Sequence, residues 1–225
     1  FNELIDTYAE DEYKEKWKVS IQDGSVTFGS AKDKWAINVD IMKKKGVTFK
    51  DVIDAYSDSG KVEDLVEKAP LAEGVLGMVV KHHPPPHVAQ KYRIPKIWKG
   101  DLDSDTGKAL LACDDNGPTI MMCVNMTIDP AAGPVAIGRL FSGKIKDGQT
   151  INIIDTKREG RVQSVNFFMS NVREQVGELG AGNIPALLGL TDVRAGQTLS
   201  TVKGIPVFEA SKYVSEPVVQ MAIEP

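Results

Sequence analysis

The chain has 225 residues, 42% hydrophobic and 26% charged, with 27 Lys and Arg against 31 Asp and Glu for a net charge of −4. That length holds one large core or two modest ones, and the composition excludes a single-element peptide, whole-length disorder and a uniformly basic nucleic-acid coat. Cys113 and Cys123 are too few for a disulfide scaffold. No apolar run of about 18 residues and no signal-peptide pattern occurs, so a reducing cytoplasm with no membrane partner is the expected setting.

Phe1, Leu4, Ile5 and Tyr8 recur at helical spacing and predict the last turns of an amphipathic helix. Lys18 to Gln22 and Ser25 to Phe28 alternate apolar and polar residues about Asp23-Gly24, which predicts a hairpin. Thr48-Phe49-Lys50-Asp51 reads as a capping box, after which Phe49, Val52, Ile53 and Tyr56 share one helical face that ends before Ser59-Gly60. Pro70 opens another helix, with Leu71, Val75, Leu76 and Val79 predicted on its buried face and His82 and His83 at its end. Residues 1–79 carry 11 basic and 16 acidic side chains, whereas residues 80–225 carry 16 and 15, so the charge balance changes at a boundary. Pro84-Pro85-Pro86 lies there, and its fixed φ angles and missing amide donors predict an extended connector over 84–87.

Beyond the prolines the apolar period changes from 3.6 to 2. Ile120, Met122, Val124, Met126 and Ile128 alternate, and 135–141, 150–154, 161–168, 184–188 and 198–202 follow as short strands separated by glycines. The pattern predicts an antiparallel β-barrel, which leaves few exposed strand edges. A further strand is expected to begin at Tyr213. The start at Phe1 and the end in an unfinished alternating run point to an excised piece of a longer protein.

Several segments imitate chemistry that their residues do not support. Gly100 to Ala109 looks briefly like a phosphate loop, yet six residues separate Gly100 from Gly107, Ala109 stands where a hydroxyl is required, and three aspartates would repel an anion. Asp101, Asp103 and Asp105 also fail as a Ca²⁺ loop, because Thr106 replaces the glycine and no Glu occupies the twelfth position. His82, His83 and His87 have no accompanying carboxylate or cysteine cluster, so no metal ligand is assigned. The sequon Asn125-Met126-Thr127 is irrelevant in a cytoplasmic chain, and no nucleophilic grouping marks a catalytic residue.

Two segments say more. At Phe28-Gly29-Ser30-Ala31-Lys32 a strand runs into small residues whose backbone N–H groups can approach a planar ligand such as a purine edge; an ordinary turn is the alternative. From 133 to 148, basic side chains stand beside glycine turns. Residues 135–175 hold seven basic and four acidic groups, which makes this the phosphate-contacting patch or else a solvated face.

Gly138-Arg139-Leu140-Phe141-Ser142-Gly143 followed by Lys144-Ile145-Lys146-Asp147-Gly148 resembles the signature of the second, β-barrel domain of the translational GTPases. Ala181-Gly182-Asn183-Ile184-Pro185-Ala186 with Gly189-Leu190, and Ala195-Gly196-Gln197-Thr198-Leu199, are similar to that barrel's closing strands. Ala89-Gln90-Lys91-Tyr92-Arg93, Ile97-Trp98-Lys99-Gly100-Asp101 and Cys113 to Pro118 resemble the archaeal and eukaryotic translocase branch. Asp114-Asp115-Asn116-Gly117-Pro118 departs from that branch's usual Asp-Pro-Lys-Gly-Pro in a turn. The resemblance runs from about Phe1 to Pro225.

The resemblance implies an α/β plus all-β architecture: the C-terminal part of a P-loop GTPase domain over 1–83, a proline linker over 84–87, an antiparallel translation-factor β-barrel over 88–206, and the start of a third domain over 207–225. Gly29, Ser30, Ala31 and Lys32 would be the fifth guanine-nucleotide motif, closing the base pocket through the backbone at Ser30 and Ala31. GTP or GDP with Mg²⁺ would bind the full-length protein, whereas this piece, without the phosphate loop, would hold no nucleotide and hydrolyse none. The parent would use GTP hydrolysis to drive tRNA and mRNA movement through the ribosome. The barrel would meet small-subunit rRNA through Arg139, Lys144, Lys146 and Arg161, although Arg139 shares a strand face with Val135 and Ile137 and could serve a structural contact instead. A cytoplasmic monomer bound to the ribosome's factor-binding region is expected. A stand-alone RNA-binding barrel and a different translational GTPase are the alternatives.

Overall fold

The computed structural model describes residues 1–57, 60–170 and 172–209, and the chain divides into two compact units, Phe1–Pro84 and a second that begins at Pro85. The first contains α1 (Asn2–Tyr8), α2 (Asp11–Trp17), β1 (Phe28–Ser30), β2 (Trp35–Ile37), α3 (Val39–Lys45), α4 (Phe49–Ala55), α5 (Val62–Lys68) and α6 (Leu71–His82). Strands β1 and β2 pair antiparallel, with Gly29 opposite Ala36 and Ser30 opposite Trp35. Trp35, Ile37, Ile41, Val47, Leu65 and Ala69 form the core.

Local chemistry accounts for the helix ends. The Asn38 side chain accepts from the Ile41 N–H at 3.0 Å to start α3, and Gly46, at φ 68°, ends it. The predicted capping box is present: the Thr48 N–H donates to Asp51 Oδ2 at 2.7 Å, while the Asp51 N–H donates to Thr48 Oγ1.

Two expectations for this unit fail. No hairpin forms about Asp23-Gly24, although Gly24 has the expected positive φ. Side chains capture the backbone there instead: Ser20 N–H donates to Ser25 Oγ at 2.8 Å and Ser25 N–H to Asp23 Oδ1 at 2.7 Å, which competes with ladder formation. On α6 the buried residue is Gly74, while Val75, Leu76 and Val79 are exposed and Leu71 is half-buried. A Cβ on Gly74 would lie 2.8 Å from Ala36 Cβ, so close approach to β2 turns the glycine inward and the larger apolar residues aside. Likewise only Val52 of the α4 face packs on the core; Phe49, Ile53 and Tyr56 are largely exposed.

The second unit opens with α7 (Pro86–Ile97) and α8 (Asp105–Ala112). The connector is therefore shorter than 84–87, because Pro86 sits in the first turn of α7, where its missing N–H costs nothing. The predicted span of the barrel is also corrected: much of 88–119 is helical. Asp105 to Ala109 belongs to α8, whose Ser104 cap accepts from the Gly107 N–H at 3.0 Å.

The strands are β3 (Ile120–Asp129), β4 (Gly133–Ser142), β5 (Lys144–Lys146), β6 (Thr150–Ile153), β7 (Arg158–Arg161), β8 (Ser164–Met169), β9 (Val172–Gln175), β10 (Glu178–Gly180), β11 (Ala186–Leu188) and β12 (Thr198–Ser200). All pairings are antiparallel, in the order β7-β6-β12-β3-β4-β11-β8-β9, with β10 and β5 as a separate pair. The sheet is barrel-like, and its described ladder is open between β7 and β9. Met121, Leu140, Ile145, Ile151, Val165 and Leu187 fill its interior. Between Cys123 and Asn125 the β3–β4 register shifts, leaving Val124 exposed.

A second cluster joins the helices to the sheet through Ile94, Trp98, Leu110, Ile120, Phe141 and Phe208. Trp98 Nε1 donates to the Pro206 carbonyl at 2.8 Å, and the Glu209 N–H donates to the Ile97 carbonyl at 2.7 Å. The strand expected from Tyr213 lies outside the described residues.

Candidate functional site

Gly29 to Lys32 spans the end of β1 and the turn that returns to β2. A Cβ at Gly29 would lie 2.6 Å from the Trp35 carbonyl oxygen, so the paired strand excludes a side chain there. The Ser30 hydroxyl donates to Asp33 Oδ2 at 2.8 Å and accepts from the Asp33 N–H at 3.1 Å, which closes the turn. Lys34 then takes φ 63°, and its carbonyl accepts from the Leu71 N–H at 2.9 Å, anchoring the turn to the start of α6.

The far side of Asp33 is held by α4. Tyr56 donates its hydroxyl hydrogen to Asp33 Oδ2 and accepts from Trp35 Nε1 at 2.9 Å. These hydroxyl donors, Tyr56 first and Ser30 second, hold the Asp33 carboxyl below the ordinary aspartate range. The result is a short, tied loop whose Ala31 and Lys32 remain exposed. Gly29 and Ala31 line a cleft of about 500 Å³ whose other walls include Val26, Ala36, Leu71 and Val75. A mostly apolar cleft beside a glycine strand end suits the face of a planar heterocycle.

The basic residues of the barrel separate into different environments. Lys144 and Lys146, on β5, both approach Glu178 on β10, at 3.6 and 2.9 Å. Arg161 is exposed at the end of β7, beside the Gly148 turn. Arg139 is half-buried on β4, opposite Met122, in a groove shared with Arg93 of α7. Burial chiefly, and the Arg93 charge secondarily, lower its guanidinium pKa.

Burial also raises the thiol of Cys123 to about 11 and that of Cys113 in the same direction, so neither is a thiolate at neutral pH. Among the described residues no group of three His, Cys, Asp or Glu side chains stands where it could hold a metal ion. No described helix is long and apolar enough to cross a membrane.

Sequence reading missed the supports of the loop. Tyr56 reads as one residue of an apolar helical face, and only the fold brings it to Asp33. Gln90 likewise looks like an ordinary polar helix residue, yet it is 2% exposed and its Nε2 donates to the carbonyls of Leu110 and Phe141.

The barrel-like sheet holds the 138–148 glycine-and-lysine turns, and the family model for elongation factor Tu domain 2 matches residues 133–200. Over its whole length the chain is similar to a segment of elongation factor 2. It is 80% identical over 225 residues to elongation factor 2 of Cenarchaeum symbiosum (strain A). Identity is 50% over 230 aligned residues with that of Sulfurisphaera tokodaii and 49% over 224 with that of Methanocaldococcus jannaschii. These alignments cover 99 to 100% of the chain and 31% of each relative, so the chain spans about a third of the proteins it matches.

Proposed function

We propose that the chain is the part of a GTP-driven ribosomal translocase that closes the guanine pocket and carries the adjoining ribosome-contacting barrel. Gly29 to Lys32 presents the backbone of Ser30 and Ala31 to the base, and the observation that carries this reading is the tied turn itself, opening on an apolar cleft. The strand end and the cleft fit a purine ring. GTP with Mg²⁺, bound in the complete protein, supplies the hydrolysable phosphoanhydride, and phosphate and metal contacts lie outside this chain. Within the chain, Asp33 and Tyr56 hold the turn in shape while the barrel faces small-subunit rRNA through Lys144, Lys146 and Arg161. The parent is a cytoplasmic GTPase that moves tRNA and mRNA.

The test is a titration of the 225-residue chain with a fluorescent GDP analogue in Mg²⁺, with GDP and ATP as competitors. No saturable binding is expected below about 1 mM, because phosphates supply most of the contacts in such sites. In the complete protein, Ala31→Val should weaken GDP and leave the melting temperature unchanged. Tight, guanine-selective binding by the chain alone would overturn the division of the site, and an indifferent Ala31→Val would overturn the role of the turn.

A further inference from the structure

A groove of about 980 Å³ runs between α7 and the β3–β4 ribbon, wholly within the second unit. This is at the upper end of the roughly 300–1,000 Å³ that bound ligands occupy. Its walls are mainly apolar, with Ala89 and Ile97 from α7, Met122 and Val124 from β3 and Phe141 from β4. Arg93 and Arg139 also line it, and among the described residues neither guanidinium has a hydrogen-bond or ion-pair partner, the groups acting electrostatically on Arg139 being the Cys113 thiol and Arg93.

That pairing is electrostatically unusual. Two cations share a partly desolvated groove, where mutual repulsion is stronger than in water. A carboxylate between them would remove the repulsion and satisfy two donor forks at once. Glu209 lines the same groove, so its two arginines and one glutamate give a net charge of +1, which matches one carboxylate rather than a run of acids.

Nucleic acid fits less well. RNA grooves offer exposed aromatic faces for stacking and rows of cations for phosphates, whereas here the one aromatic wall, Phe141, is 7% exposed and the cations number two. The register shift beside Val124 also breaks the β3–β4 ladder and leaves an apolar side chain presented at the groove.

We infer that this groove is a docking site for a peptide segment of another protein, in which one Asp or Glu flanked by aliphatic residues places its carboxylate between Arg93 and Arg139. The aliphatic neighbours rest on Met122, Val124 and Ile97. The site lies wholly within the second unit and does not depend on the role given to the Gly29–Lys32 turn.

The test is an NMR titration of the ¹⁵N-labelled 225-residue chain with acetyl-Leu-Glu-Leu-Val-amide, with acetyl-Leu-Gln-Leu-Val-amide and octauridylate as comparisons. Saturable shifts are expected at the amides of Gln90, Arg93, Met122, Val124 and Phe141, with affinity about tenfold weaker for the Gln peptide. Arg139→Gln and Arg93→Gln should each weaken the Glu peptide by about fivefold or more, and Lys108→Gln should leave it unchanged. Because Arg93 is exposed, its variant keeps the test valid if the Arg139 variant fails to fold. The inference is overturned by absence of saturation, by equal affinity for the two peptides, by insensitivity to Arg93→Gln, or by tighter binding of octauridylate.

Discussion

The two units solve burial differently. The barrel-like unit encloses its interior on its own, with Met121, Cys123, Leu140, Ile145, Ile151, Val165, Leu187 and Leu199 all without solvent exposure. The N-terminal unit gathers six buried core residues around β2 and leaves Phe1, Leu4, Ile53, Leu76 and Val80 each more than half exposed. The barrel-like unit also leaves Val124, Ile128, Met169, Val172 and Ile184 more than half exposed, so at roughly 25 cal/mol per Å² of apolar area removed from water the difference lies in the size of the enclosed cluster. One cluster of thirteen buried residues in the barrel-like unit, against six around β2, separates them.

The contrast predicts where substitutions hurt most. Gln90→Glu should be the most damaging, because carboxylate oxygens would face the Leu110 and Phe141 carbonyls in a buried site. A loss of about 3–5 kcal/mol at neutral pH is expected in urea unfolding, recovering in acid as the new carboxyl is protonated. A full recovery at neutral pH would show that the groove floor is wetter than its burial implies.

Leu140→Ala should cost about 2–5 kcal/mol and move only the barrel's transition, leaving an earlier, weaker transition from the N-terminal unit in place. If a single transition covers both units and moves as one, the contrast between them is broken. Thr48→Ala removes half of the α4 capping box and should cost about 1 kcal/mol, read as loss of helical circular dichroism in the first transition.

The smallest effect sharpens the comparison at one loop. Asp33 has a depressed pKa, so its ionised form is favoured by folding; that contribution is present above the unfolded-state value and is lost as pH falls through the folded one. Protection of the Ser30 to Lys34 amides, corrected for the intrinsic exchange rate at each pH, should fall at low pH before the barrel responds, and Tyr56→Phe should move that onset upward. An unchanged onset in Tyr56→Phe would show that the Tyr56 hydroxyl does not support the turn.

Much of this architecture was legible where the signal was local. The Thr48 capping box, the helix after Pro70 and the alternation from Ile120 through Ile128 each declare themselves within a few residues, and the strands at 133–142 and 198–200 follow the same period. Failures arose where a local signal had two physical outcomes. Asp23-Gly24 can turn a hairpin or close a side-chain-capped loop, and the Ser20 and Ser25 hydroxyls select the second. Pro86 can stiffen a linker or open a helix, and the apolar contacts of Ile94 fix it as the latter. On α6 a glycine outranks three aliphatic residues because β2 comes too close for a Cβ. In the turn after β1, the strand end at Gly29 and Ser30 was readable from small-residue spacing, but Tyr56 reaches Asp33 from 23 positions away, and no pattern along the chain marks that meeting.

The clasp at Trp98 has a consequence for how such a barrel can be inherited. Its indole N–H holds the carbonyl of Pro206, 108 positions later, so the path into the barrel and the path out of it lie side by side. Where entry and exit lie this close, a sheet can be joined to a host chain at neighbouring points of its surface. Trp98 thereby fastens the seam between the way into the sheet and the way out of it.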